Sequence, residues 1–125
     1  MAEIKEEILD FIIKHGEGRY SGFNREELKD AIAKHLEYGT AMIIRNKANN
    51  EITAVARWNW VSNFAAHILD VVIHKDYRTP RFLRYMLLLG KRKYPQLHWI
   101  TYERLSKYPD RAIKMFEVNK LLKRK

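Results

Sequence analysis

The most informative segment of this sequence is Asp70-Val-Val-Ile-His-Lys-Asp-Tyr-Arg78, which is followed at once by Thr79 and Pro80. Its apolar first half is typical of a strand that is buried on both faces, and Thr79 with Pro80 is a favourable start for a helix. A strand that leads through a short turn into a helix N-terminus is where α/β proteins bind phosphate-bearing ligands. We therefore expect function to centre on this corner.

Two amphipathic helices are predicted upstream of this stretch. Apolar residues recur at helical spacing over residues 3–15, and the same pattern returns over residues 25–38. Asn24 is a favourable N-cap for the second helix, and Gly39 is a typical C-terminal stop. The glycine-rich residues 16–22 predict a loop between the two helices.

The pattern then changes from helical to alternating. Residues 40–45 and 51–60 predict a hairpin around a turn at residues 46–50. The second of these strands should place on one buried face Ile52, Ala54, Ala56, Trp58 and Trp60. Residues 67–74 predict a third strand, and because it is apolar on both faces it should be central in the sheet.

A further helix is predicted from Thr79 onward. Its inner stripe should consist of Leu83, Met86, Leu87 and Gly90. Residues 97–103 predict a strand that the helical crossover makes parallel to the third strand. Residues 111–119 fit helical spacing, which we favour, but residues 114–118 also alternate as a strand would.

These elements predict one α/β domain over residues 1–125, with a mixed, mostly antiparallel sheet of about five strands flanked by helices. The length of 125 residues and a hydrophobic content of 46% are enough for one core. The chain has no cysteine, which excludes a disulfide framework and a thiolate metal site. Its five histidines show no metal-ligand spacing, so we expect no metal site.

Positive charge is concentrated in the second half of the chain. The formal net charge is −2 over residues 1–74 and +11 over residues 75–125, where residues 120–125 form a basic C-terminal tail. Such a distribution suggests an anionic partner, although a solvated basic surface is the alternative. No apolar run is long enough to span a membrane, so we expect a cytoplasmic protein without a membrane partner.

The order of the predicted elements resembles that of the GNAT N-acetyltransferase superfamily over residues 40–104. The specific match is the stretch from Asp70 to Arg78, which is similar to that family's central strand and turn, D-L-x-V-H-P-D-Y-R, with Lys75 in place of the proline. The resemblance implies a GNAT-like domain that binds acetyl-CoA and transfers its acetyl group to an amine.

In that family the turn continues as R-x-x-G-x-G/A, and its amides hold the cofactor's pyrophosphate. Here Arg81 and Leu83 stand at the two small-residue positions, and Pro80 has no N–H. Long side chains obstruct close approach to the backbone, so we expect arginines 78, 81 and 84 to bind the phosphates by charge-assisted hydrogen bonds. The cofactor-binding residues that the resemblance implies are Ile73, His74 and Lys75 for pantetheine, and Arg78, Thr79, Arg81, Phe82, Leu83 and Arg84 for the pyrophosphate.

The resemblance also implies two catalytic groups. Asp70 is the acidic residue placed to deprotonate an amine directly or through water, although a structural, paired carboxylate is the alternative. The family's tyrosine, which protonates the leaving thiolate, aligns with Phe116, which has no proton to give. Tyr108 is the catalytic replacement that we predict, with Tyr102 as the other choice.

Two functions remain open on the sequence. The first is an atypical acyl-CoA-dependent N-acyltransferase that transfers an acetyl group to a small-molecule or protein amine. The second is a catalytically inactive GNAT-fold binding module that contacts nucleic acid or an acidic protein through its basic C-terminal half. The resemblance suggests that a short, divergent protein of this kind is encoded by a phage or another mobile element.

Overall fold

The computed structural model describes residues 2–16, 22, 24–103 and 113–123. Within these ranges the chain forms helices, strands and one 3₁₀ turn. In chain order they are α1 (Ala2–His15), α2 (Arg25–Tyr38), β1 (Ala41–Arg45), β2 (Ile52–Ser62), β3 (Ala65–Ile73), the 3₁₀ turn (Lys75–Tyr77), α3 (Pro80–Lys93), β4 (Trp99–Glu103), β5 (Ile113–Glu117) and α4 (Val118–Lys123).

The strands form one five-stranded mixed sheet in the order β1-β2-β3-β4-β5. Strand β1 pairs antiparallel with β2, β3 pairs parallel with β4, and β4 pairs antiparallel with β5. The predicted α/β class, with about five strands flanked by helices, is confirmed. The parallel pair that the crossover predicted is confirmed as well, and β3 is the middle strand of the order.

Internal contacts group the chain into two compact units. The first consists of residues 1–57 and 70–77, and the second of residues 58–69 and 78–125. In the first unit, α1, α2, β1, β2 and β3 contribute to one apolar core, whose buried members are Ile8, Leu9, Phe11, Ile12, Leu28, Ile32, Ile52, Val55 and Val72. The two helices therefore bury the apolar stripes that their sequence predicted.

The ends of α2 confirm the predicted capping residues. The Asn24 side chain accepts hydrogen bonds from the backbone N–H groups of Glu26 and Glu27, and Gly39 ends the helix with φ of 70°. That left-handed conformation favours glycine, because other side chains would be strained there. The loop predicted at residues 16–22 lies largely outside the described residues.

Strand β2 differs from its predicted alternation. Its residues 52–58 are all buried, including Thr53 and Arg57, which were predicted to face away from the core. The difference has a physical reason, since both faces of this part of the strand are covered and its polar side chains find hydrogen-bond partners inside. Burial on both faces is thus a property of residues 52–58 of β2 and of the end of β3 at Val72 and Ile73, whereas Leu69 earlier in β3 is 44% exposed.

In the second unit, α3 packs against α4, and Met86 is the buried residue of α3. The predicted inner stripe of α3 is wrong at Leu83, which is 52% exposed. The buried face instead runs through Met86 and the half-buried Phe82, one helical turn earlier, so it is rotated away from Leu83. No helix within the described ranges is long and apolar enough to cross a membrane.

The helix that we favoured for residues 111–119 is wrong at residues 113–117. Residues 113–117 form β5, whose register runs from Trp99↔Glu117 to Glu103↔Ile113, and only then does the short helix α4 begin. The spacing of the apolar residues in this segment fits a helix as well as a strand, and pairing with β4 selects the strand. Residues 120–123 of the predicted basic tail lie in α4.

Candidate functional site

Asp70 forms a buried ion pair with Arg57 in the first unit. The Arg57 Nε–H donates to Asp70 Oδ1 at 3.0 Å, and Arg57 Nη2 donates to Oδ2. Only 11% of the Arg57 side chain and 9% of the Asp70 side chain are exposed. Two charges at this depth are tolerated because the guanidinium satisfies both carboxylate oxygens at once.

This pairing bears on the predicted general base. Both oxygens of Asp70 already accept hydrogen bonds from Arg57, so a proton arriving from an amine competes with the guanidinium for them. The catalytic role of Asp70 therefore stays a prediction. The alternative, a structural carboxylate paired with a cation, has its partner in Arg57. Arg57 was not singled out from the sequence.

His35 is a second titratable group of this region that the sequence did not single out. Burial lowers the pKa of His35 below its ordinary value, and the positive charge of Arg57 lowers it further, while a hydrogen bond with Thr40 and the charge of Asp70 oppose the change. Its Nδ1 lies 2.7 Å from Thr40 Oγ1. At neutral pH the imidazole is therefore uncharged and carries a lone pair, as a proton acceptor requires.

The end of β3 is fixed by hydrogen bonds within the first unit. The backbone N–H of His74 donates to Thr53 O at 2.8 Å, and His74 O accepts from the N–H of Tyr77 at 2.8 Å. The N–H of Asp76 donates to His74 Nδ1 at 3.1 Å. The backbone groups that we expected His74 to offer to pantetheine are thus already bonded within the protein.

The other two residues predicted to contact pantetheine, Ile73 and Lys75, differ in exposure. Ile73 is buried, and it too interacts with other groups of the protein. Lys75 is exposed in the 3₁₀ turn.

The start of α3 confirms the predicted cap in the second unit. Thr79 Oγ1 accepts from the N–H of Phe82 at 3.1 Å, and Thr79 O accepts from the N–H of Leu83 at 3.1 Å. Pro80 occupies the first turn without an N–H. Much of the donor capacity that a bare helix N-terminus would offer to an anion is therefore already used or missing.

The arginines of this segment have different surroundings. Arg78, Arg81 and Arg84 are all exposed, and Nη2 of Arg84 donates to the carbonyl oxygen of Leu122 in α4. Exposed guanidinium groups suit phosphate oxygens better than a guanidinium that caps another helix. Of the three predicted phosphate ligands, Arg84 is thus the least available.

The predicted proton donor Tyr108 lies outside the described residues. The aligned position, Phe116, is described, and its ring stacks on that of Tyr102 with centroids 5.6 Å apart and planes 7° from parallel. The phenol of Tyr102 is therefore next to the position where the resemblance implies a tyrosine. Within the described ranges, no group of histidines and carboxylates is arranged to hold a metal ion.

Comparison with solved structures identifies the fold. An aminoglycoside 6′-N-acetyltransferase from Enterococcus faecium superposes with a TM-score of 0.59 at 8% identity, over 82% of this chain and 56% of that one. The chain has the GNAT fold. A GNAT-family acetyltransferase from Staphylococcus aureus Mu50 gives a TM-score of 0.58 at 14% identity, over 86% of this chain and 72% of that one.

A third solved structure with this fold contains coenzyme A. The PaiA N-acetyltransferase from Thermoplasma acidophilum, in complex with coenzyme A, gives a TM-score of 0.58 at 12% identity, over 86% of this chain and 77% of that one. The chain spans little more than half of the Enterococcus protein, 56% of its length. No family model and no curated protein matches the sequence.

Proposed function

We propose that this protein is an acyl-CoA-dependent N-acyltransferase that moves an acetyl group from acetyl-CoA to an amine. The proposal rests on the GNAT fold and on the central strand, which leads into a capped helix with exposed arginines. An aminoglycoside N-acetyltransferase is among the structures that share the fold, which supports an amine as acceptor.

The residues present fit a phosphorylated cofactor through side chains. Arg78 and Arg81 are exposed beside the Thr79 cap, and no acidic residue stands between Asp76 and Glu103 in the sequence. Pro80 has no N–H, and the Thr79 hydroxyl already accepts from the N–H of Phe82. Charge-assisted hydrogen bonds from guanidinium groups take the place of these backbone donors. Phe82, Leu83 and Arg84 are the remaining residues of the proposed pyrophosphate segment, with Ile73, His74 and Lys75 proposed for pantetheine.

Acetyl transfer to an amine requires this chain to accept one proton from the nitrogen and to deliver one to the departing sulfur. When bound, acetyl-CoA supplies the acetyl thioester as electrophile. We assign proton acceptance to Asp70, directly or through water, with neutral His35 in the same region as the further acceptor. Tyr108 is the proposed proton donor, and Tyr102 beside Phe116 is the alternative.

Two measurements test the proposal. Acetyl-CoA at about one hundred times its dissociation constant should stabilise the native state by about 2.7 kcal/mol, which is read as a rise in the unfolding midpoint. Release of the CoA thiol in the presence of an aminoglycoside or a polyamine can be followed with a thiol reagent, and because the chain has no cysteine the protein gives no background signal.

A matched pair of variants locates the cofactor site. Arg78→Gln with Arg81→Gln should abolish the acetyl-CoA stabilisation, whereas Lys47→Gln, an exposed residue of the β1–β2 turn, should leave it unchanged. The comparison of Tyr102→Phe with Tyr108→Phe then identifies the proton donor, since the responsible phenol should lower thiol release without lowering acetyl-CoA binding. Neither stabilisation nor thiol release at millimolar acetyl-CoA would overturn the proposal.

A further inference from the structure

The outer face of α3 carries only positive charge. Arg81, Arg84 and Arg92 are exposed, and Met86 is buried on the opposite side. No acidic residue occurs between Asp76 and Glu103, so the helix has no acidic side chain to neutralise this face. Arg81 and Arg92 are separated by about 16 Å along the axis, from the α-helical rise of 1.5 Å per residue.

An exposed aromatic ring lies within this basic face. Tyr85 is 43% exposed, and it follows Arg81 by four residues and precedes Arg92 by seven, so the three share one helical stripe. The ring of Phe82 lies next to it, with centroids 6.0 Å apart and planes tilted by 45°. A partly exposed tyrosine ring with cations on the same helical stripe offers a surface on which a nucleobase can stack.

Helix α4 extends the same surface within the second unit. Arg84 donates to the carbonyl oxygen of Leu122, which joins α3 to the last turn of α4, and Lys123 is exposed at that end. Lys91 takes another role, because its ammonium group donates to Pro95 O at 2.6 Å and to Leu97 O at 2.7 Å. Arg84 is engaged in the same way, so the contributors to the α3–α4 basic surface are Arg81, Tyr85, Arg92 and Lys123.

We propose that the α3–α4 basic surface binds single-stranded nucleic acid, with the cations on phosphates and Tyr85 stacked on an unpaired base. Charge alone would serve an acidic protein equally well, so the exposed ring is what favours nucleic acid. Bases in a duplex are already stacked on one another, and this favours the single-stranded form. The proposal does not depend on acyl transfer.

The test is fluorescence anisotropy of a labelled single-stranded oligothymidylate across a salt series with the full chain. Tyr85→Ala should weaken binding about 5- to 100-fold, the range expected for loss of one stacked base, and should leave the salt slope unchanged. Arg92→Gln should instead reduce the slope of log K against log salt by about 0.7, because one counterion-releasing contact is lost. These two signatures separate stacking from charge.

Matched variants in the first unit complete the design. Tyr38→Ala removes a tyrosine that is 75% exposed on α2, and Lys34→Gln removes an exposed cation of the same helix. Both should leave oligonucleotide binding unchanged, and circular dichroism of every variant confirms that it is folded. The proposal is overturned by no binding at about 50 mM salt, by equal binding of polyglutamate, or by a folded Tyr85→Ala variant with unchanged affinity.

Discussion

At the scale of single residues, the Arg57–Asp70 pair is the feature with the largest expected energetic effect. The two charges compensate each other in the interior, where little of either side chain is exposed. Arg57→Ala should therefore lower the free energy of unfolding by about 3–5 kcal/mol, measured by urea denaturation. The double variant Arg57→Met, Asp70→Leu should recover most of this loss, since no uncompensated charge remains.

A surface pair provides the comparison. Arg25 bonds to Glu6 and Asp10 between α1 and α2 at 2.7 and 2.8 Å, but these side chains are largely exposed. Arg25→Ala should change stability little, because solvent screens such pairs. If Arg57→Ala had an effect as small as that of Arg25→Ala, the buried pair would not carry the stability assigned to it.

His35 gives a pH dependence whose sign follows from its environment. Its pKa is lowered in the folded state from an ordinary value of 6.5, so around and below that pH the unfolded chain binds more protons. The free energy of unfolding should fall as the pH drops from about 6.5 through the lower folded value. His35→Gln should flatten this fall in urea titrations between pH 8 and pH 5, and an unchanged acid response would contradict the assignment.

At the scale of elements, the start of α3 depends on one hydroxyl. Thr79 Oγ1 satisfies the N–H of Phe82, and Pro80 fixes the first turn. Thr79→Ala should lower the free energy of unfolding by about 1 kcal/mol, whereas Thr79→Ser should be nearly neutral because the accepting oxygen is retained. Equal losses for the two variants would show that the methyl group, and not the cap, matters.

The capping residues show which element ends could be predicted from the sequence. Asn24, Gly39 and Thr79 were predicted correctly because caps depend on chemistry within a few residues of one another. Strand β5 was missed because its mixture of apolar and charged residues fits helical spacing as well as strand alternation, and its pairing with β4 decided the outcome. Leu83 was misplaced because two adjacent stripes of α3 are both apolar.

At the scale of the whole molecule, the central strand and the fold class were predictable, whereas much of the candidate site was not. Asp70 was identifiable as an acidic residue on a buried strand, but its bond to Arg57 depends on how β2 and β3 are registered. The environment of His35 likewise depends on side chains that are distant in sequence. Local composition carries no information about such long-range contacts.

The strand order also leaves β1 and β5 as the outermost strands among the described residues. Strand β1 ends with Arg45, whose guanidinium donates to both carboxylate oxygens of Glu7 at 2.7 and 2.9 Å. The remaining side chains of β1, from Ala41 to Ile44, are uncharged, so the one cation that would repel a second molecule is already engaged. Self-association of concentrated samples should therefore begin by edge-to-edge addition at β1, and a lysine introduced at Met42 is the substitution that should suppress it.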